Sequence, residues 1–311
     1  MNLAFLFPGQ GSQKTGMGSA LAGQYPSGAK IFQTADNILG IPLSKLCFEG
    51  SAEELDETRN AQPALLVVSV ALAQVLKENG ISPSITAGHS LGEYSALVVS
   101  GAIKFEECLH LVRRRAEIMA LSSRNKPGSM AAVLGLKDKK VEEICRNASG
   151  EGIVEPANYN CPGQVVISGE TKAVARAAEL AKQEGAKRVL PLKVSVASHS
   201  QLMRDAAQEY SREIEKATWN MPDVPIVMNV TGETTTDIVE IKRCLVQQLT
   251  RPVRWTECVA TIVKSGIRQA VELGPGKVLT GLVARCSPEI KVYPVSDPDS
   301  INDFLQLKGS N

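Results

Sequence analysis

The segment Ile85-Thr86-Ala87-Gly88-His89-Ser90-Leu91-Gly92 constrains the fold more than any other stretch of this chain. A short run with β propensity enters a Gly-x-Ser-x-Gly turn, and residues 94–99 leave it with helical, apolar character. A serine on so sharp a strand-to-helix turn projects its hydroxyl, and glycines two residues to either side let the two elements approach closely. The five-residue pattern alone would arise by chance in about one chain in ten of this length, with glycine and serine each near ~7%. The strand before it and the helix after it give it weight. It predicts an α/β fold and a nucleophilic Ser90.

The rhythm elsewhere agrees. Residues 3–7 read as a strand, Pro63 opens an apolar helix, residues 85–87 form a second strand and a helix follows from Leu91. Such alternation predicts a mostly parallel sheet covered by helices. Around Arg124-Asn125-Lys126-Pro127-Gly128 the pattern changes. Strands at 130–134, 153–157, 164–168 and 188–196, with helices at 140–146 and 173–184, give strand-helix-strand-strand-helix-strand, the order of a ferredoxin-like unit. The large-domain rhythm then resumes with a helix at 201–217, a strand at 225–229, a helix at 253–265 and a strand at 269–273 before Gly274-Pro275-Gly276. At 311 residues the chain is about twice a typical ~150-residue domain. The expectation is a large domain of residues 1–125 and 198–311 with a small inserted domain of residues 126–197, and a loose polar tail after Leu307.

Composition excludes several functions. Thirty-four basic and thirty-three acidic side chains give a net charge of +1, so no global field selects nucleic acid or another polyanion. Aromatic residues at 4% are too sparse for a stacking platform. Seven cysteines, at 47, 108, 145, 161, 244, 258 and 286, are scattered and odd in number, with neither metal-ligand nor redox spacing; they read as reduced residues. Residues 1–7 are too short and uncharged for a signal peptide. The longest apolar run, residues 64–76, is thirteen long, short of the roughly 20 a membrane span needs. A cytoplasmic protein with no metal is expected.

Serine needs a general base, since its free hydroxyl is hardly ionised at neutral pH. The chain has three histidines. His89 adjoins Ser90 and should point elsewhere. On a helix over 105–121, Phe105, Cys108, Leu109, Val112, Ala116 and Met119 make one apolar stripe, and His110 lies nearly opposite, in solvent. His199 is left, where the chain re-enters the large domain. No Asp or Glu partner stands out for it, and a backbone carbonyl could serve instead. On the same helix Arg114 points away from the stripe, Arg113 lies outside its edge and Arg115 falls within roughly 60° of its centre. Arg115 either snorkels or holds a carboxylate or phosphate with paired hydrogen bonds; its place after the serine turn favours an anion.

These residues, with Phe7-Pro8-Gly9-Gln10-Gly11-Ser12-Gln13, Gln62-Pro63-Ala64-Leu65, Asn158 to Gly163, Gln248 with Pro252 and Trp255, and Gly274-Pro275-Gly276-Lys277, resemble the malonyl-CoA:acyl carrier protein transacylases over nearly the whole chain. The resemblance implies a hydrolase-like parallel-sheet core with the ferredoxin-like insert. It gives Ser90 a malonyl ester, His199 the proton transfers and Arg115 the salt bridge to the malonyl carboxylate. It assigns the oxyanion hole to the backbone N–H groups of Gln10 and Leu91, the orientation of His199 to the Gln248 carbonyl, and the small-domain wall of the cleft to Asn160. It implies malonyl-CoA and acyl carrier protein as partners of a monomer that needs no cofactor, serving fatty-acid or polyketide synthesis. One departure is Ala197-Ser198, where many malonyl-selective relatives carry an aromatic residue before the histidine; exclusion of branched acyl groups is not implied. Two rivals remain on the residues alone, a serine esterase or thioesterase and a non-catalytic module that docks carrier protein.

Overall fold

The computed structural model describes residues 2–192, 194 and 196–309. Its larger sheet has six strands in the order β10-β9-β1-β2-β7-β8, with β1 Leu3–Phe7, β2 Ile85–Gly88, β7 Ile226–Val227, β8 Thr234–Thr235, β9 Gln269–Leu273 and β10 Lys291–Val295. All its pairings are parallel except β7 with β8. Strands of a parallel sheet are covered on both faces and therefore read as continuous apolar runs; β1, Leu-Ala-Phe-Leu-Phe, is buried at every position. Phe7 pairs with Gly88, so the turns after β1 and β2 emerge side by side. Ligands of open parallel sheets bind beyond these carboxyl ends.

The second sheet holds β3 Gly128–Leu134, β4 Val154–Cys161, β5 Gln164–Glu170 and β6 Arg188–Pro191, ordered β4-β5-β3-β6 and antiparallel throughout. With helices Asp138–Ala148 and Thr171–Gln183 this is the ferredoxin-like order expected. The two-residue period of β3 divides its work. Ala131 and Val133 pack under the helices, while Met130 and Ala132 join Val166 on the opposite face and line a cleft against the larger sheet. An isolated bridge between Asn158 and Val253, with Tyr159 N–H on the Val253 carbonyl and Val253 N–H on the Ala157 carbonyl, both at 2.9 Å, fixes that sheet to the core.

Several expected boundaries shift. Pro63 lies inside helix Thr58–Glu78 rather than at its start. Its missing N–H leaves the Arg59 carbonyl without an i+4 donor, and Arg113 Nη1 donates to that oxygen at 3.0 Å. By length and composition this helix could cross a membrane, but 83% of its most apolar window is buried inside the fold. The helix expected at 201–217 is split into a 3-10 turn, Gln201–Met203, and Arg204–Lys216. The strand expected to reach residue 196 is β6, ending at Pro191; Lys193 and Ser195 lie outside the described residues. Of the tail expected to be loose after Leu307, residues 308–309 instead continue helix Pro298–Gly309, which packs on β10.

The close approach of β1 to the serine turn rests on Gly92. A Cβ there would stand 2.0 Å from the Phe7 carbonyl oxygen, and one at Gly88 would stand 1.9 Å from the Gly92 carbonyl carbon. Gly92→Ala is expected to lose about 3 kcal/mol or more, because neither backbone can yield. Thermal unfolding checks this, with Gly23→Ala as control: Gly23 lies in helix Ser19–Gln24 with open space around it, so that variant should melt with the parent or slightly above it. Equal melting of Gly92→Ala and parent would sink the account.

Candidate active site

Ser90 sits at the crest of the turn with φ 50°, a left-handed conformation that costs a non-glycine residue about 1–3 kcal/mol and persists only where neighbours hold it. Asn229, just beyond β7, is one holder. Its Oδ1 accepts the Ser90 backbone N–H at 2.7 Å and its Nδ2 donates to the Gly88 carbonyl at 2.6 Å. Ser90 Oγ lies 2.9 Å from His199 Nε2.

His199 is 3% exposed and also has a positive φ, 61°. Its Nδ1 lies 2.6 Å from the Gln248 carbonyl oxygen. A carbonyl only accepts, so Nδ1 carries the proton and Nε2 of the neutral ring is free to accept from Ser90 Oγ–H. Burial, and then the charge of Arg115, push the His199 pKa down to about 3; the bond to Gln248 opposes them. The ring is thus a neutral base at ordinary pH, oriented by a backbone carbonyl and not by a carboxylate.

Arg115 is 1% exposed, deeper than a place near a helix rim suggests. Nη1 donates to Gln62 Oε1 at 2.6 Å and Nη2 to Gln248 Oε1 at 2.9 Å, with Ser90 Oγ 3.5 Å from Nη2. The Tyr94 ring lies 5.4 Å from the guanidinium carbon. Among the described residues no carboxylate oxygen lies within 4 Å of Arg115, and its buried Nε–H has no acceptor. Arg113 and Arg114, in contrast, pair with Glu117 near the surface, and His110 is exposed.

Gln10, after β1, lines the same cleft of about 290 Å³, and its side-chain amide donates to Thr58 Oγ1 at 3.1 Å. Leu91 caps the helix Gly92–Val99. Among the described residues neither Gln10 nor Leu91 donates its backbone N–H to a protein acceptor. Asn160 also lines the cleft, and its Oδ1 lies 2.8 Å from His89 Nε2. His89 therefore points at the small-sheet wall, with its ring edge on Trp255. The site thus brings together a serine hydroxyl, a neutral imidazole, free backbone donors and a desolvated cation, a set suited to acyl transfer from an acid-bearing acyl group.

Three contributors escaped the sequence reading. Glu93 and Asn229 are both fully buried, and Gln62 stood in a recognised stretch without a role. Glu93 had a signal: helix Gly92–Val99 is apolar on nearly every side, so an acid in its first turn has no solvated face to occupy. Among the described residues no group of three or more His, Cys, Asp or Glu could hold a metal ion, and all seven cysteines are unpaired.

Residues 4–297 match the acyl transferase domain family. A malonyl CoA-acyl carrier protein transacylase of Bacillus subtilis is 46% identical over 311 residues, covering 99% of this chain and 98% of that protein. Among solved structures, an acyl carrier protein S-malonyltransferase from Vibrio cholerae is 43% identical with a TM-score of 0.95, over 98% of this chain and 100% of that one. A malonyl-transacylase solved in complex with a type II PKS acyl-carrier protein is 42% identical with a TM-score of 0.96, over 99% and 100%.

The lowered pKa of His199 has a kinetic consequence. An imidazole with the ordinary value of about 6.5 keeps only about 3% of its base form at pH 5, whereas His199 stays neutral there. Acylation of Ser90 by an activated ester should be nearly as fast at pH 5 as at pH 8 in kcat/KM, which reports the free enzyme. The unfolded chain takes up this proton below about 6.5 and the folded one does not, so the shift costs stability as pH falls toward about 3; short pH jumps therefore suit the measurement. Half-loss of the rate between pH 6 and 7 would contradict the assignment.

Proposed function

The chain belongs to the acyl transferase family, among the malonyl-CoA:acyl carrier protein transacylases, and from that premise we propose that Ser90 carries the malonyl group between malonyl-CoA and acyl carrier protein. The enzyme is an acyltransferase that moves malonyl from the coenzyme A thioester to the phosphopantetheine thiol of the carrier protein. The observation that carries the choice of acyl group is the buried Arg115, without a carboxylate partner among the described residues, 3.5 Å from Ser90 Oγ.

In this reading His199 Nε2 takes the proton of Ser90 Oγ as the oxygen attacks the malonyl thioester carbonyl. The backbone N–H groups of Gln10 and Leu91 meet the oxyanion. The C–S bond then breaks, the coenzyme A sulfur leaves with the proton held by His199, and malonyl-Ser90 remains. In the second half His199 takes the proton of the carrier thiol as its sulfur attacks the ester carbonyl, the C–O bond breaks, and Ser90 Oγ leaves with that proton while malonyl stays on the carrier sulfur. The Gln248 carbonyl keeps the imidazole in the required tautomer, and Asn160 bounds the cleft on the small-sheet side. Side chains and backbone supply every proton and charge, so no metal or cofactor is invoked. The reading is of a cytoplasmic monomer: a net charge of +1 supports freedom from nucleic acid, and the free cysteines support a reducing compartment. The division at residues 126–197 belongs to the same reading and is supported by the small sheet, whose strands all fall within it.

An esterase or thioesterase would use the same dyad with water, and Arg115 separates the readings. In Arg115→Ala, kcat/KM for malonyl-CoA should fall at least 100-fold while acetyl transfer is kept or improved. Intact mass after mixing with malonyl-CoA should show one malonyl group on the parent and none on Ser90→Ala, and the label should move to holo acyl carrier protein. Malonate release without transfer would favour the hydrolase; no malonyl mass on the parent would favour a docking module.

A further inference from the structure

Glu93 stands three residues beyond the nucleophile, in the first turn of its helix, where an acid ordinarily faces water near the helix N-terminus. Here it is fully buried, and both carboxyl oxygens are committed. Oε1 accepts the Asn229 backbone N–H and Oε2 accepts the Gln248 side-chain amide, each at 2.6 Å. The Gln248 NH2 group also donates to the Ser90 carbonyl at 3.0 Å. With that end of the amide occupied, Oε1 is turned to Arg115 Nη2. The opposite orientation would set NH2 against guanidinium donors and an amide oxygen against Glu93 and the Ser90 carbonyl, unfavourable at both ends.

One side-chain amide therefore joins a buried acid to the buried cation, and the same residue's main chain orients the base. We propose that Glu93 is a positioning residue: by holding the Gln248 amide with its oxygen toward Arg115, it sets the guanidinium that selects acyl groups carrying a carboxylate. The proposal rests on the reading of Arg115 given above. It assigns Glu93 no contact with substrate and no proton transfer to it. Burial pushes the Glu93 pKa up to about 8 against the pull of the Asn229 N–H, Arg115 and the Gln248 amide, so such a carboxyl is retained at a cost that no apolar residue would carry.

The test is the ratio of kcat/KM for malonyl-CoA to that for acetyl-CoA in the full-length enzyme. Glu93→Gln replaces one acceptor oxygen by a donor. Gln248→Met removes the amide but keeps the backbone carbonyl that orients His199. Each should lower the malonyl-to-acetyl ratio at least tenfold, whatever happens to the absolute rates, and the double variant should fall no further than the worse single one. A merely structural role would lower both activities by one factor and leave the ratio alone; that result overturns the proposal, as does a double variant whose effect is the product of the singles. If Glu93→Gln is unfolded at the assay temperature, Gln248→Met decides alone, and an unchanged ratio there overturns the proposal. If Arg115→Ala keeps the parent ratio, the reading of Arg115 fails and this one with it. If Arg115→Ala loses the ratio and the folded Glu93 variant does not, only the positioning role fails.

Discussion

A guanidinium buried without a carboxylate is the constraint around which the site is built. Removing a cation from water costs several kcal/mol even after the protein relaxes, and neutral acceptors recover only part of it. Arg115 has two amide oxygens and one ring face. In the proposed reading the remaining deficit is met when an acyl group brings its own negative charge to the cleft. Burial first, and the charge of Arg115 second, depress the basicity of His199, so in the proposed reading the residue that recognises the acyl group also helps to keep the base unprotonated. An arriving anion offsets that repulsion, which makes the imidazole a better proton acceptor at the moment one is needed.

Holding such a cation still requires long-range packing. Helices Thr58–Glu78 and Phe105–Asn125 lie against one another, the first bringing Gln62 to Nη1 and the second carrying Arg115 itself. Pro63 within the first helix frees a carbonyl that Arg113 takes, a contact across the same interface. Gln248, at the end of helix Ile238–Gln248, closes the other side. The setting of Arg115 thus depends on three helices distant in sequence, whereas Ser90 and the N–H groups of Gln10 and Leu91 depend on two adjacent strand ends.

This difference explains what the sequence made legible. Local features were readable: the serine turn has fixed spacing, the stripe on Phe105–Asn125 has helical phase, and the β3-to-β6 order follows the sequence rhythm. His199 emerged by elimination because only three histidines exist. Glu93, Asn229 and Gln62 were not readable as contributors, since their partners are Gln248, Ser90 and Arg115 across 155, 139 and 53 positions. No periodicity encodes a hydrogen bond at that range. Helix Pro298–Gly309 was given no element for a related reason: the burial of Ile301 and Phe304 is visible only once β10 is in place, and the two described residues after Leu307 lie in its last turn.

Among the described residues, the non-glycine positions with positive φ are Ser90 and His199, the two members of the dyad. Each conformation is unfavourable on its own by about 1–3 kcal/mol, and each is held from outside its own turn. Asn229 grips the Ser90 backbone, and Gln248 binds the His199 ring through its carbonyl while its amide donates to the Ser90 carbonyl. Glu93 bonds to both Asn229 and Gln248. On the proposed reading of Ser90 and His199 as nucleophile and base, both unfavourable conformations are held by one shared set of buried polar bonds. Such coupling suits the proposed reaction, in which the same serine and histidine act twice in succession, because the geometry that forms the ester is the geometry that must release it.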